Sequence, residues 1–559
     1  MSERPRAGSP CALPVALAVL LALGGSALAP GVARAGGFFL GDRGVRGTGR
    51  AGALIAGADA PDSLWYNPAG LAWSGQQLQL DATLVLPDHE FTRIDGGGEW
   101  QPTVRASGIP VPIPGLFYSD NFGLRDWTFG VGAFAPTAVL EKWPETVTVG
   151  GVTEPSPERY SVLSLEGTVL GHLAVGAAWR PLPALSIGAT AQLIGASFRI
   201  RSVISGCDRA FCTQPENPDF DALADVNLSQ VIAATFGAGV LYDAGFARFG
   251  ASFLTPYTLS GDATITVRLP SAAAFDSARI EGNQASTSLA MPWILRAGVE
   301  VRPLRGLRVE AAIVAQLWST QQAMTITPHD IWLRNVLALG DYEAGPVTVP
   351  RGMRDTLSLR LGGEYTTGIL GVRAGFAYEN GAFDDAYLSP LTIDSDNATL
   401  ALGASVEVTR GLFVDVSYQH FFMRNRQVRN SAVPQANPVR PPSADPVYVG
   451  NGDYVLEADT LGVGLRWQID APPSRSPETA EAATDASPEP APTPPTTAAA
   501  PTPPDHAFVW PHATPAPTPA AEMPPEADEP PDANPYRTRT PRPAPRRRRP
   551  SSRRAPTPP

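Results

Sequence analysis

The feature that most constrains this chain is a series of segments in which every second residue is apolar. Residues 78–86 carry leucine or alanine at each even position, with Gln79, Asp81 and Thr83 between them. The same alternation recurs at 127–133 and 185–193. Because successive side chains of a strand point to opposite faces, each segment predicts a strand with one apolar face. Small or polar residues occupy the other face.

The connections between these segments alternate in length. Six short turns lie near residues 121–125, 181–183, 243–245, 303–306, 367–370 and 410–411. Seven longer polar connections lie near residues 94–111, 141–159, 205–227, 269–287, 321–354, 381–397 and 425–458. Thirteen connections predict fourteen strands. Short turns at one end, long loops at the other and an even strand number are typical of a bacterial outer-membrane barrel. Lipid covers the apolar faces of such a barrel, and closure leaves no unpaired edge.

We therefore expect an all-β protein, with a 14-stranded antiparallel transmembrane β-barrel over residues 76–470. The N-terminus carries an apolar run at 12–29 and a small-residue cleavage motif at 33–35, which predict a signal peptide over residues 1–35. A retained membrane anchor is the alternative. Pro14 disfavours it, because it interrupts a run already short for a spanning helix.

Residues 36–71 read GGFFLGDRGVRGTGRAGALIAGADAPDSLWYNPAGL, a glycine-rich segment without a period of 2 or 3.6. Such a pattern indicates neither a long strand nor a long helix. We expect residues 36–75 to form a compact unit whose conformation is set by its glycine-rich backbone and not by a long helix or strand.

Beyond residue 470 the composition changes to repeated proline, alanine and threonine, which predicts a disordered tail over 471–559. Its ten acidic residues are balanced by ten arginines, so the net charge of −11 belongs to the rest of the chain. This balance gives no support to nucleic-acid binding. If the tail emerges in the periplasm, the arginines at 546–549, 553 and 554 suit an anionic cell-wall polymer. An unbound, solvated tail is the alternative.

Cys207 and Cys212 lie five residues apart in GCDRAFC, a spacing that favours a local disulfide in an oxidising compartment. A metal site would need further cysteine or histidine nearby. The six histidines are scattered, and no glycine-rich phosphate loop precedes a helix. We therefore expect no catalytic site, no metal and no cofactor.

Several motifs resemble the FadL/TodX family of outer-membrane transporters of long-chain fatty acids and aromatic hydrocarbons. The most specific lie before the first strand: Gly37-Phe38, GDRGVRGTGRAGA, Ala58-Asp59 and the run NPAGL. WTFGVGAFAP and NGDYVLEADTLGVGLRW give weaker support, and the resemblance covers roughly residues 36–469. The chain departs from the family pattern in continuing for about ninety residues past the last strand.

The resemblance implies that residues 36–75 form a hatch that plugs the barrel lumen from the periplasmic side. The residues expected to form this hatch and gate are Phe38, Arg43, Arg46, Arg50, Asp59, Asn67, Pro68 and Ala69.

If the apolar positions face lipid, the residues between them face the lumen, and many of those near the periplasmic mouth are charged. This lumen belt comprises Asp81, Glu300, Glu310, Glu364, Arg373, Glu407, Asp415 and Arg466. We expect it to hold the hatch arginines through ion pairs, which are stronger in a low-dielectric lumen than at a surface. A ladder of charge pairs between neighbouring strands is the alternative.

Arg296 and Arg360 lie deeper, and an isolated arginine there suits a ligand carboxylate. Pairing with Glu300 and Glu364 is the alternative, and the one we favour.

Pro136 lies at the end of the third predicted strand, after the alternating segment 127–133, and supplies no amide hydrogen. The resemblance implies sideways release of ligand through a kink in that strand, which Pro136 with Gly130 and Gly132 would mark. Equally, Pro136 simply ends the strand.

Together these features predict passive, ligand-gated diffusion of hydrophobic compounds through a plugged barrel in the bacterial outer membrane, with the tail in the periplasm. The expected partners are a fatty acid or hydrocarbon ligand and outer-membrane lipid. A non-transporting structural or adhesin-like surface barrel is the competing class.

Overall fold

The computed structural model describes residues 42–108, 111–208, 210–439 and 446–469. The predicted signal peptide, Phe38 and the predicted tail lie outside these ranges. No helix among the described residues has the length and apolar character needed to cross a membrane.

Fourteen wall strands are present in the described ranges, some of them interrupted. They are β1 Gln77–Ile94; β2 Trp100–Arg105, Ser107–Gly108 and Val111–Asp120; β3 Trp127–Lys142; β4 Ser164–Leu182; β5 Leu185–Ser205; β6 Asp221–Asp243; β7 Ala247–Leu254 and Tyr257–Arg268; β8 Gln284–Met291 and Ile294–Leu304; β9 Leu307–Gln316 and Ala323–His329; β10 Val347–Pro350 and Thr356–Thr367; β11 Leu370–Glu379; β12 Asn397–Thr409; β13 Leu412–Met423 and Arg426–Val428; and β14 Gly452–Gln468.

Each strand pairs antiparallel with its neighbours in sequence. The ring is closed by β14, which pairs with β1 from Gln77–Gln468 to Arg93–Gly452. The predicted fourteen-stranded antiparallel barrel is confirmed.

The six short turns lie where the sequence predicts them, but several long connections are shorter than predicted. β2 begins at Trp100 and pairs with the upper part of β1, so the connection expected over 94–111 is a hairpin with its turn at 95–99. β9 and β10 likewise extend beyond the expected loop boundary, with Ala323 opposite Pro350. The loop between β3 and β4 holds a short hairpin of its own, Thr146–Val149 with Val152–Pro155.

The wall is apolar outside and polar inside, as β10 shows. Leu357, Leu359 and Leu361 are exposed on the outer face, whereas Ser358 and Arg360 between them are buried. This inversion is expected when lipid covers the exterior. Aromatic side chains at the short-turn end add an outer belt, where the rings of Trp127 and Trp179 stack with centres 6.0 Å apart.

Residues 42–75, the inner segment, lie within the ring. The segment contains helices α1 Val45–Thr48 and α2 Ser63–Tyr66 and the 3₁₀ helix Pro68–Trp73. Wall glycines on opposite sides make room for it. A Cβ added to Gly188 would lie 2.3 Å from the carbonyl carbon of Pro68, and one added to Gly375 would lie 2.2 Å from that of Arg50. The absence of side chains there lets the wall and the segment meet backbone to backbone.

Candidate functional site in the lumen

The most buried ion pairs join the inner segment to β8 and β9. Nη2 of Arg50 lies 3.3 Å from Oε2 of Glu300 and 3.3 Å from Oε2 of Glu310, and none of the three side chains is exposed. A charge removed from water needs such partners, because an unpaired buried ion is strongly unfavourable. The period-two alternation of the sequence predicts that both glutamates face the lumen, as they do here.

Glu310 also binds the backbone of the inner segment. Its carboxylate accepts hydrogen bonds from three successive amides, those of Ile55, Ala56 and Gly57, at 2.6 to 2.9 Å. Hydrogen bonds to an ionised acceptor are stronger than neutral ones. One wall carboxylate thus fixes both the turn at 55–57 and the Arg50 side chain.

A second network surrounds Asp59. Arg46 pairs with Asp59 within the inner segment and with Glu364 of β10, whose Oε2 lies 2.8 Å from Nη2 of Arg46. Arg308 of β9 reaches the other oxygen of Asp59 at 2.6 Å and donates to the carbonyl of Gly57 at 2.8 Å. An arginine of the segment thus pairs with an acidic residue of the wall, and an arginine of the wall pairs with an acidic residue of the segment.

Part of the belt instead joins strand to strand. Arg373 of β11 lies 3.1 Å from Glu364 and 3.0 Å from Asp415, and Arg466 of β14 lies 3.4 Å from Asp415. The two interpretations offered for these charges thus coexist: Glu300, Glu310 and Glu364 contact the segment, whereas Arg373, Asp415 and Arg466 form a ladder along the wall.

Two belt residues make local contacts. Asp81 accepts a hydrogen bond from Gln79 on its own strand. Glu407 accepts one from the amide of Gly411, in the adjacent short turn.

The other end of the inner segment is fixed by Asn67, Pro68 and Ala69. The side chain of Asn67 accepts from the amide of Ala69, capping the 3₁₀ helix, and donates to the carbonyl of Val240 on β6 at 3.2 Å. Ser186 of β5 donates to the carbonyl of Ala69 at 2.8 Å. At its start, the amide and carbonyl of Arg43 both bond to the hydroxyl of Tyr66.

The favoured pairing for the two deeper arginines is wrong. Arg360 pairs with Asp42 of the inner segment and lies 3.7 Å from Glu379. Arg296 lies over the ring of Trp65, 4.8 Å from its centre. Glu300 and Glu364 do not pair with Arg296 or Arg360, because Arg46, Arg50 and Arg308 occupy their oxygens.

The sequence reasoning missed two wall arginines that contact the segment. They are Arg308, described above, and Arg248, which donates to the carbonyl of Ala58 at 3.4 Å and covers the ring of Trp73. Arg308 shares its parity with Glu310, so the alternation contained the signal.

An apolar cavity of about 180 Å³ lies at the long-loop end of the lumen. Inner-face residues of β5, β6, β7, β9 and β10 line it, with residues of several loops; Ile200, Val226, Ile265 and Ile326 are examples. No acidic or basic side chain lines it among the described residues. Tyr160 lies at its edge, and its hydroxyl is satisfied by Asp221 at 2.7 Å.

The loops around this cavity are fixed by a disulfide within one loop and by hydrogen bonds within and between loops. The structure joins Cys207 and Cys212 in a disulfide, and the carbonyl of Cys207 accepts from Asn437 of another loop. Glu158, two residues from Tyr160, is buried and accepts from the hydroxyl of Ser156. Burial raises the pKa of Glu158 to about 7.

The wall ladder is interrupted between β2 and β3. Pairs run from Asp120–Phe129 to Gly115–Phe134 and, within the described residues, resume at Gly108–Glu141. Residues 111–114 nevertheless keep their pairs with β1.

The prolines of β2 explain this interruption. Alternate residues of an antiparallel strand direct their N–H groups to opposite neighbours. The backbone nitrogens of Pro112 and Pro114 point towards the same neighbouring strand, and neither carries a hydrogen. Since pairing with β1 persists, the edge without donors faces β3. On the other side of β3, the register with β4 shifts between Phe134 and Thr137, around Pro136.

Gly130 and Gly132 lie in the intact part of this ladder, opposite Ser119 and Phe117. A Cβ added to Gly130 would lie 2.9 Å from the side chain of Leu71 in the inner segment. The structure thus places these glycines against the segment and Pro136 at the register shift.

The fold has solved relatives. It is similar to the crystal structure of a Pseudomonas aeruginosa FadL homologue, with a TM-score of 0.62 at 16% identity. The toluene transporters TodX of P. putida and TbuX of Ralstonia pickettii give TM-scores of 0.53 at 16% identity and 0.52 at 15% identity. Each likeness covers 77% of this chain and 99% of the other.

A comparison with curated proteins finds no match. The sequence itself matches a family over residues 26–445, three quarters of the chain, and that family is described as outer membrane protein transport protein (OMPP1/FadL/TodX). The resemblance inferred from the N-terminal motifs is therefore confirmed, and this chain belongs to the OMPP1/FadL/TodX family of outer-membrane transporters of hydrophobic compounds.

Proposed function

We propose that this barrel admits small hydrophobic compounds by passive diffusion, and that the inner segment acts as a ligand-displaced hatch. The observation that carries the proposal is an uncharged apolar cavity at the extracellular end of a lumen blocked by residues 42–75. The toluene transporters that share the fold suggest the general class of ligand.

The cavity suits a compact ligand. A cavity of about 150 Å³ lined by aliphatic and aromatic side chains accommodates benzene, and this one holds about 180 Å³. Its lining offers dispersion and hydrophobic contacts, and none of its described residues carries a charge that would have to be desolvated. A single aromatic ring or a short alkyl chain fits this space.

Passage beyond the cavity requires the inner segment to move. Its contacts with Glu310, Glu364 and Arg308 are polar and directional, so small displacements break several together. A ligand that occupies the lumen better when the segment is displaced shifts the equilibrium towards the open state.

The interrupted ladder between β2 and β3 supplies an exit through the wall. Pro112 and Pro114 deny β3 the donors that would close it, and Pro136 lies at the register shift with β4. An apolar ligand leaving there enters the lipid without crossing water. Gly130 and Gly132 make room for the hatch beside this exit.

Two further roles belong to the same proposal. Arg296, stacked on Trp65 of the hatch, meets the carboxylate of any acidic ligand that passes. The arginine-rich tail, if periplasmic, binds anionic cell-wall polymer.

The test is uptake of radiolabelled toluene and of a labelled long-chain fatty acid by a deletion strain, with and without the gene for this chain. Restored uptake of either compound supports transport, and the preferred compound identifies the class. Equal uptake in both strains, with the barrel present in the outer membrane, would establish the structural or adhesin alternative.

A further inference from the structure

Two buried polar atoms in the middle of the lumen have no hydrogen-bond partner among the described residues. They are Nε2 of His172 on β4 and the hydroxyl of Tyr257 on β7. The side chains are 2% and 8% exposed. Their rings meet edge to face with centres 6.2 Å apart. A buried polar group without a partner is costly, so these two atoms on neighbouring rings indicate a site for the polar group of a bound molecule.

The surroundings of the two atoms are aromatic. Phe134 of β3 stacks on His172 with ring centres 5.5 Å apart, and Trp65 of the inner segment meets His172 edge to face at 6.1 Å. Tyr257 packs in the same apolar cluster, which includes Leu170 and Met291. A group bound between His172 and Tyr257 would therefore be the polar end of a molecule otherwise in contact with rings and aliphatic chains.

The protonation of His172 follows from its neighbour. The amide nitrogen of Gln192 donates to the carbonyl of Leu64 in the inner segment at 3.4 Å, which turns the amide oxygen towards His172. That oxygen lies 2.8 Å from Nδ1 of His172. Nδ1 therefore carries the proton in the neutral ring, and Nε2 presents a lone pair.

Tyr257 complements this lone pair, because its hydroxyl is able to donate. We propose that His172 and Tyr257 form a subsite for one hydroxyl group of the ligand, which donates to Nε2 and accepts from the tyrosine. The class of ligand is then a hydroxylated hydrocarbon, an alcohol or a phenol. An ether or ketone lacks the donor, and a pure hydrocarbon leaves both atoms unpaired. The inference rests on the proposed function, because the ligand reaches this level through the extracellular cavity.

Three probes with the same methyl-substituted ring separate these classes: p-cresol, 4-methylanisole and toluene. Their binding to the full chain in lipid nanodiscs is measured by titration calorimetry against empty nanodiscs. We expect p-cresol to bind at least about fivefold more tightly than the other two, the effect of one good hydrogen bond. Tyr257→Phe removes the tyrosine hydroxyl but leaves Nε2 of His172, so it should reduce this preference to the part that comes from His172, while changing the affinity for toluene less than twofold.

Tyr454→Phe is the matched control. Tyr454 is equally buried, but its hydroxyl bonds to the carbonyl of Gly450 at 2.8 Å, near the loops. It should keep the preference for p-cresol. Equal affinities for all three probes in the unmodified chain, or a preference that Tyr257→Phe leaves undiminished, would show that the two atoms hold water only. If toluene binds in that case, transport stands and only the subsite falls; if no probe binds, both fall.

Discussion

Arg50 of the inner segment and Glu310 of β9 lie 3.3 Å apart with neither side chain exposed to solvent. The same carboxylate accepts three amides of the segment, so the ion pair and the backbone contacts depend on each other. Breaking a buried pair by removing one partner costs about 3–5 kcal/mol, equivalent to roughly two orders of magnitude or more in an equilibrium constant.

Reversing the charges of Arg46 and Arg50 to glutamate should therefore release the inner segment. The new carboxylates would face Glu300, Glu310 and Glu364 at close range. We expect larger and more frequent conductance steps in planar bilayers than for the unmodified protein. Asp88→Asn is the control, since it breaks an exposed pair with Arg105, which contributes little. Conductance equal to that of the control would refute anchoring by these pairs.

Gly375→Ala should displace the segment by sterics alone. The added Cβ would lie 2.2 Å from a backbone atom of Arg50, which has no room to move without disturbing its ion pairs. Overpacking of this kind costs about 1–3 kcal/mol. We expect a lower temperature for the heat-induced mobility shift on gels, together with higher conductance. Gly195→Ala, where a Cβ meets nothing within 4 Å, should leave both unchanged.

A charge placed in the extracellular cavity should block hydrocarbon uptake. Val226→Asp puts a carboxylate on its apolar lining, which contains no basic side chain in the part of the chain that the structure describes. An ionised group without a partner in such a site is disfavoured by several kcal/mol. It keeps water in the cavity, and we expect toluene uptake to fall at least about tenfold. Val152→Asp, on an exposed loop hairpin, controls for the added charge, and an equal fall in both variants would argue against this cavity.

Restoring hydrogen-bond donors to β2 should close the wall. The double variant Pro112→Thr with Pro114→Thr returns two N–H groups to the edge that faces β3. If ligand leaves through this interruption, uptake should fall severalfold while the thermal stability of the barrel rises or stays the same. Pro155→Thr, at an exposed loop strand, serves as the control. Undiminished uptake would place the exit at the periplasmic mouth instead.

The loop that carries Glu158 should be more stable in acid. Burial raises the pKa of this carboxyl to about 7 from its ordinary value of 4.5, so the folded loop binds the proton more tightly than the unfolded chain does. The resulting stabilisation is complete below pH 4.5 and is lost as the pH rises through about 7. Hydrogen exchange of residues 156–163, corrected for intrinsic rates, should be slower at pH 5 than at pH 8.

Glu158→Gln should flatten this pH dependence, because the amide has no proton to lose. Glu154→Gln, an exposed neighbour, should preserve it. A loop whose exchange is independent of pH in the unmodified chain would contradict the assignment.

Much of the fold can be predicted from the period-two pattern, because every wall strand needs apolar residues facing lipid and small or polar residues facing the lumen. The pattern gave the strand number and the short turns. It predicted strands that are too short at the long-loop end, as in β2, β9 and β10. Residues there meet water instead of lipid and need no apolar outer face, so the alternation fades before the strand ends.

The site was predictable in part. Parity turned Glu300, Glu310 and Glu364 inward, and applied consistently it also identifies Arg308. The ion-pair partners of these charges could not be predicted from the sequence, because they depend on the path that the inner segment takes through the lumen. Arg296 illustrates this: its contact is the ring of Trp65, which lies far away in sequence.

The pairing of β1 with β14 constrains how the molecule is made. These two strands lie at opposite ends of the barrel sequence, and their ladder from Gln77–Gln468 to Arg93–Gly452 forms only after the whole wall has been synthesised. The inner segment directly precedes β1 and lies inside the ring. Because it is synthesised before every wall strand, it is available to be enclosed when the final seam closes.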